Sequence, residues 1–414
     1  MFVAIANTPR DYAWGSVTAI AELLGTPPTG KPQAELWLGA HPGSPSRIVG
    51  AGAGADAATD LATAAANDLA TGGAADLAQW IQADPSAALG GRTRLPFLMK
   101  VLAAGAPLSL QAHPSPEQAI EGFERENALG IPLDAPNRNY RDAYPKPEVI
   151  YALSDTFDAL CGFRPIAESR EVFLALGLDE LVPKLDSLPD LFAWLMSGSP
   201  EVDALVAQAI ARTNLKENSD DRPGTATKGG PNGQSSFVLD ALDTVTLLAQ
   251  HYPCDVGILA ALLLNRVTMT RGQALYLPAG NIHAYLRGVG IEIMTASDNV
   301  LRGGLTPKHV DVAELARVLD FTPGSPPWLA PEKGEGALEV FRPGNDDFVL
   351  AHATGDCVLA LTGPAIALCV AGTMTIAGEN SSMTLSGGDA AFVTADESTL
   401  AISGTGELFV GTTP

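Results

Sequence analysis

The stretch "PLSLQAHPSP", residues 107–116, puts Gln111 and His113 two apart in an apolar setting and then stops at two prolines. Residues i and i+2 of a strand share a face. An amide oxygen and an imidazole therefore point the same way just where the chain leaves the strand. A second stretch, "GQALYLPAGNIHAY", residues 272–285, ends on another imidazole. There Gly272 starts a strand after a turn, Pro278 and Gly280 bend the chain, and the bend aims His283. A carboxylate stands nearby in sequence, Glu117 four residues after His113. Imidazoles, an amide and a carboxylate converging on one point make a site for a divalent cation, whose chemistry is the polarisation of substrate oxygens.

The spacing of the second stretch, Gly-x5-Pro-x-Gly-x2-His, resembles the second signature motif of the cupins, double-sheet jelly rolls whose barrel holds a metal. Their first motif carries two histidines two apart, and Gln111 stands here in place of one. Ordinary cupins take their carboxylate where Glu117 falls. The spacing recurs in "GDAAFVTADEST", with Gly388 at the place of Gly272, but Thr394 replaces the proline and Thr399 stands where the histidine should be. A second jelly roll, degenerate and without metal, is expected from this.

Several elements must position these residues. "LPFLMKVLAAGAPLSLQAHP" predicts two strands around a Gly-Ala-Pro turn. "SPEQAIEGFERENALG" predicts a helix with Ser115 as N-cap, Pro116 at its first position and Gly130 past its end. "KPEVIYAL" predicts a strand over 146–153. From about 165 to 252 the apolar period becomes helical, interrupted by a polar, Gly-rich loop at 216–236; residues 49–90 are Ala-rich and predict short helices on a variable surface. The expected fold class is mainly β with an inserted α-helical domain and two cupin-type jelly rolls, the N-terminal one catalytic. The expected limits are 1–151 and 255–320 for the catalytic cupin, 152–254 for the helical domain and 321–414 for the second cupin.

Composition bounds the partners. The 414 residues carry 46 % hydrophobic and 17 % charged residues, with 42 Gly and 31 Pro, which favours many short strands and turns over a helical bundle. A net charge of −22 argues against nucleic acid or an anionic membrane surface. An anionic substrate would then need a local cluster of Lys and Arg. The N-terminus shows no signal-peptide pattern and no run is long enough to span a membrane. Cys161, Cys254, Cys357 and Cys369 lie far apart without a C-x-x-C, as in a reduced, cytoplasmic protein. A monomer is expected.

"DYAWGS", "AELWLGAHP", "LPFLMKVLAAGAPLSLQAHP", "YPKPEVIYAL", "CGFRP" and "LPAGNIHAYLRGVGIEIMTASDNVLRGGLTPKHVDV" occur in the order seen in the type I mannose-6-phosphate isomerases, and the chain resembles that family over nearly its whole length. The resemblance implies a zinc-dependent aldose–ketose isomerase acting on a phosphosugar, with one Zn2+ held by Gln111, His113, Glu148 and His283. It prefers Glu148 over Glu117, which the spacing places in the first turn of a helix, where the dipole favours it. One departure is visible: family members often carry Asn-His before Lys-Pro-Glu, and Tyr144-Pro145 stands here, so no role of that histidine carries over.

Isomerisation moves a proton between C2 and C1 of the sugar. Glu292 and Lys146 are the candidate bases, Arg302 would face the reacting oxygens or the phosphate, and Asp298 would orient it or serve ring opening. Ser109 and Lys100 are the candidates for the phosphate, with Lys308 a weaker one. Against each stands a structural role: a strand lysine reaching solvent for Lys100, a strand filler for Ser109, an ordinary salt bridge for Arg302. His41, His251, His309 and His352 are read as structural. Two alternatives are another metal-dependent cupin enzyme, either an iron, manganese or nickel oxygenase or an isomerase of a different phosphosugar, and a cupin that binds a sugar or stores metal without turnover. Gln111 and "KPE" argue against the first. Retention of four ligands together with Arg302 argues against the second.

Overall fold

The computed structural model describes residues 1–49, 74–217 and 235–414. Among these, the strands pair antiparallel into two sheets, of ten and nine strands, with helices gathered mainly between residues 166 and 261. No helix of the described residues is long and apolar enough to cross a membrane. Most of the Ala-rich segment and of the Gly-rich loop lies outside the described residues. Of the former, the helices Leu77–Ala83 and Pro85–Leu89 are seen, capped by the side chains of Asp76 and Asp84.

The spine of the ten-stranded sheet is the strand His283–Thr295. Its first part pairs with Gln111–Ala112 on one side and Thr156–Phe163 on the other. Its second part pairs with Phe97–Ala104 and Glu148–Ala152. The change of partners occurs at a register shift between Tyr285 and Arg287, followed by Gly288 with φ +119°. A β-carbon at Gly288 would lie 2.8 Å from Phe157 Cα, so only glycine fits this bulge. The shift also changes which side chains face inward. Counted by twos from His283, Glu292 would face away; with the bulge, Tyr285, Glu292 and Met294 all line one cavity.

The helix Pro116–Ala128 follows His113 almost at once. Ser115 accepts a bond from the Gln118 amide and its own N–H donates to the Gln118 side chain, a reciprocal cap, while Gly130 continues past the end at φ +69°. This fixes the direction in which the chain leaves the site.

The strand pairing departs from the limits drawn from sequence. Thr156–Phe163, inside the stretch assigned to the helical domain, is a strand pairing with His283–Thr295 and Leu264–Thr270. Phe2–Ala6 and Arg47–Ile48 belong to the nine-stranded sheet, through Ala390–Val393, not to the catalytic part. Trp328–Leu329 reaches back to pair with Ala274–Leu277. Edge strands take whichever free edge lies within reach, and sequence proximity does not dictate it. The helical run after residue 165 breaks at Gly177 (φ +72°) into Ile166–Leu176 and a 3₁₀ segment, Asp179–Asp186, and a short helix, Gly257–Ala261, falls where strands were expected to resume. Of the second strand expected after the Gly-Ala-Pro turn, only Gln111–Ala112 forms.

The C-terminal recurrence has a structural counterpart. Gly272 and Gly388 share nearly the same backbone, φ +94° and +93°. Each precedes a four-residue strand by two positions, Ala274–Leu277 and Ala390–Val393, and the long strands after them begin at His283 and at Thr399. One apolar core unites the two sheets, with Phe97, Met99 and Ile293 from the first against Phe341, Ile366 and Phe409 from the second.

Candidate active site

His113, Glu148 and His283 are each 1 % exposed, and one ligand atom of each lies within 4.8 Å of the others. Glu148 opens its strand opposite Leu277 and Met294, while His283 opens the spine strand directly across from Gln111. Each imidazole has its Nδ1 against a backbone carbonyl: His113 at 2.7 Å from Asn299 O, His283 at 3.0 Å from Asn281 O. Nδ1 must therefore carry the proton and donate, which leaves a lone pair on each Nε2. Both Nε2 atoms lie 3.3 Å from Glu148 carboxylate oxygens, yet among the described residues neither has a hydrogen-bond donor, and nor does Glu148 Oε2. Three buried acceptors face one another with no proton between them. A cation at the centre would satisfy all three. Burial, with the charge of Lys146 beside it, pushes the His113 imidazole down to about 4, so it is neutral and ready to ligate. Burial would raise Glu148, but the Lys146 ammonium, whose Nζ lies 2.7 Å from Oε1, holds it well below the usual carboxylate range.

The cluster opens on a cavity of about 650 Å³. Gln111 lines it, and Arg302 lies across from Gln111 in register, so Arg302, Gln111 and His283 form one row over three strands. Lys100 and Glu292 are cross-strand partners, 5 % and 3 % exposed, joined at 2.9 Å. Glu35 stands 3.7 Å from the same Nζ, and the Trp37 ring lies 5.1 Å from it. Burial would lower the Lys100 ammonium, but Glu292, Glu35 and Glu148 outweigh it and hold it above the usual range. Burial raises the Glu292 carboxyl despite the Lys100 charge.

The other candidates divide. Asp298 is tied to His41 Nε2 at 3.3 Å while His41 Nδ1 accepts from the Gly43 amide, so His41 does bind two loops together. Ser109, Lys146, Arg302 and Lys308 line the cavity. Lys100 is neither a solvent lysine nor a free cation; it belongs to a buried charge network. Glu117 is exposed in the first helical turn, bonded to Ser115 Oγ, away from the cluster. Tyr144 is exposed, with the Arg94 guanidinium 3.7 Å above its ring.

Sequence reasoning missed four residues of the wall. Tyr285 is 1 % exposed, its hydroxyl has no partner among the described residues, and it lies two residues after His283; the i, i+2 rule was the available signal. Arg141 lines the cavity near Arg302 and Lys308, and among the described residues none of the three makes an ion pair. Burial lowers both Arg302 and Lys308, and the neighbouring positive charges add to it. Glu35 and His251 also line the cavity, and nothing local in sequence marked them.

An antiparallel β protein with a buried His–Glu–His cluster at the end of a polar cavity defines the class. Residues 2–166 match the family model of the phosphomannose isomerase type I catalytic domain. The chain is 34 % identical to the mannose-6-phosphate isomerase of Escherichia coli over 98 % of this chain and 97 % of that one, and 32 % identical to that of Homo sapiens over 88 % and 86 %. A crystal structure of a zinc-bound mannose 6-phosphate isomerase superposes with a TM-score of 0.81 at 34 % identity, covering 100 % of this chain and 99 % of that one. The chain belongs to the type I mannose-6-phosphate isomerase family.

Proposed function

We propose that this protein is a zinc-dependent isomerase interconverting mannose 6-phosphate and fructose 6-phosphate, with Gln111, His113, Glu148 and His283 as the metal ligands. The observation that carries it is the set of orphaned acceptors His113 Nε2, His283 Nε2 and Glu148 Oε2, buried together where Glu148 lines a cavity that Lys100 and Glu292 also line. The relatives' names and the zinc in a structural neighbour support the same reading. Variants of the Salmonella typhimurium enzyme have been solved at two lysines, a histidine and a glutamate. Their separations along the chain equal those of Lys100, His113, Lys146 and Glu148 here.

Zinc at this point would withdraw electron density from the sugar's O1 and O2 and so stabilise an enediolate. Proton transfer between C2 and C1 falls to a residue facing the sugar through a cis-enediol. Glu292 suits this: burial raises its carboxyl above the usual range, the charge of Lys100 at 2.9 Å opposes that rise, and the side chain lines the cavity. Lys146 is the second candidate, but its ammonium is committed to Glu148. Lys100 thus poises Glu292 instead of binding phosphate. The phosphate falls to Ser109 with Arg141 and Lys308, and Arg302, beside Gln111, faces the reacting oxygens. Asp298, steadied by His41, would assist ring opening.

The architecture proposed is a catalytic cupin barrel on the spine strand, a helical domain packed against it, and a second, degenerate cupin. The matched glycines at 272 and 388 and the strands that follow support it. A coupled assay for fructose 6-phosphate, run as purified, after chelation and after zinc add-back, tests the function. Activity lost and restored by zinc is expected. Folded, zinc-loaded protein without turnover of mannose 6-phosphate would refute it.

A further inference from the structure

Asn299 is fully buried and every polar atom of it is used. Its backbone carbonyl receives His113 Nδ1 at 2.7 Å. Its side-chain oxygen accepts from the amides of Arg141 (2.7 Å) and Asp142 (3.2 Å). Its side-chain nitrogen donates to the carbonyls of Asp142 (2.8 Å) and Tyr144 (2.9 Å), with a longer contact to the Asp142 carboxylate. Its own amide donates to Ser297 Oγ, which in turn donates to Asp142 Oδ1 at 2.8 Å. Only an asparagine offers two acceptor lone pairs and two donors at this reach: aspartate lacks the donors, and leucine lacks all four.

The segment from 141 to 147 has no helix or strand to hold it, yet it carries Arg141 and Lys146 into the cavity. Four bonds from one side chain to its backbone stand in for a ladder. The same residue presents the carbonyl that fixes the tautomer and ring plane of His113. We propose that Asn299 is a positioning residue that sets the metal ligand His113 and the Arg141–Lys146 segment as one unit, so that the metal end and the cationic wall of the cavity keep their spacing. This rests on the isomerase reading above.

Two variants test it, Asn299→Ala and the milder Ser297→Ala. The readouts are zinc affinity by competition with a chromogenic chelator, KM and kcat for mannose 6-phosphate at saturating zinc, and melting temperature with and without zinc. Asn299→Ala is expected to bind zinc roughly 10–100-fold more weakly and to raise KM roughly five-fold or more even when zinc is saturating. Ser297→Ala should move both quantities the same way by less. A purely structural role would lower the melting temperature alone. A folded Asn299→Ala with wild-type zinc affinity and KM overturns the proposal. If that variant does not fold, Ser297→Ala decides, and wild-type values for both quantities overturn it. Wild-type protein that binds zinc but does not turn over the sugar phosphate refutes the isomerase reading instead, and the zinc arm still reports on Asn299.

Discussion

At the scale of single residues, two imidazole lone pairs and a carboxylate oxygen are buried around one point without a donor. An unsatisfied buried polar atom costs about 1–3 kcal/mol, so the cluster strains the fold until a cation joins it. Glu148→Gln removes the negative charge at its centre and is expected to lose bound zinc and lower kcat/KM by more than about 100-fold, beyond the loss typical of residues that only support a ligand. Glu117→Gln, on an exposed helical turn, should leave zinc content and kcat/KM unchanged; metal analysis beside the coupled assay separates the two. Equal loss in both would reopen the identity of the carboxylate ligand. Spacing alone left Glu117 and Glu148 open. What distinguishes them is the helix that begins at Pro116 and turns Glu117 to solvent.

At the scale of elements, the turn at Pro278–Gly280 delivers His283. Gly280 has φ +77°, and a β-carbon there would lie 3.0 Å from the Val318 carbonyl and 3.1 Å from the Asp320 amide. Its own amide donates to His113 O, and its carbonyl accepts from Asp320. Gly280→Ala must therefore both occupy the left-handed region and push the backbone off its neighbours, at about 1–3 kcal/mol. Denaturant unfolding should show that loss, and zinc affinity should fall with it because His283 shifts. A variant as stable as wild type, with unchanged zinc affinity, would show that the turn does not aim His283. The glycine and its purpose were legible in sequence. The bulge after Tyr285 was not: it depends on the chain trading one set of strand partners for another, a choice made by distant segments. Without it, Glu292 would face the wrong side.

At the scale of the molecule, the two sheets meet through a polar bridge as well as an apolar core. Glu407, in the nine-stranded sheet, binds His352 Nε2 at 3.0 Å and pairs with Arg271 beyond the end of a strand of the ten-stranded sheet; Tyr151 approaches His352 from that sheet. Burial would raise the Glu407 carboxyl, but the bond from His352 and the charge of Arg271 outweigh it and hold it below the ordinary carboxylate value. In the unfolded chain the carboxyl takes up a proton first as pH falls. The bridge therefore stabilises above the ordinary carboxylate pKa and loses that contribution as pH drops through the lower folded value. Glu407→Gln should lower the melting temperature at pH 7 and flatten its decline on the acid side; parallel curves for variant and wild type would exclude the linkage. The mixing of termini across sheets, with Phe2–Ala6 on the C-terminal sheet, ties the two halves together and makes one unfolding transition the expected behaviour.

Local chemistry was available from the sequence itself. Ligand types two apart on a strand, a Gly-Pro-Gly-His turn, a capped helix and a helical period are properties of neighbouring residues, and physics acts on them over a few ångströms. Glu35 against Lys100, His41 on Asp298, Asn299 beneath His113 and Arg141 beside Lys308 join residues far apart in the chain. No pattern within a window encodes such pairs. They arise only when strands from separate segments choose their edges, because burial and charge depend on what ends up adjacent in space.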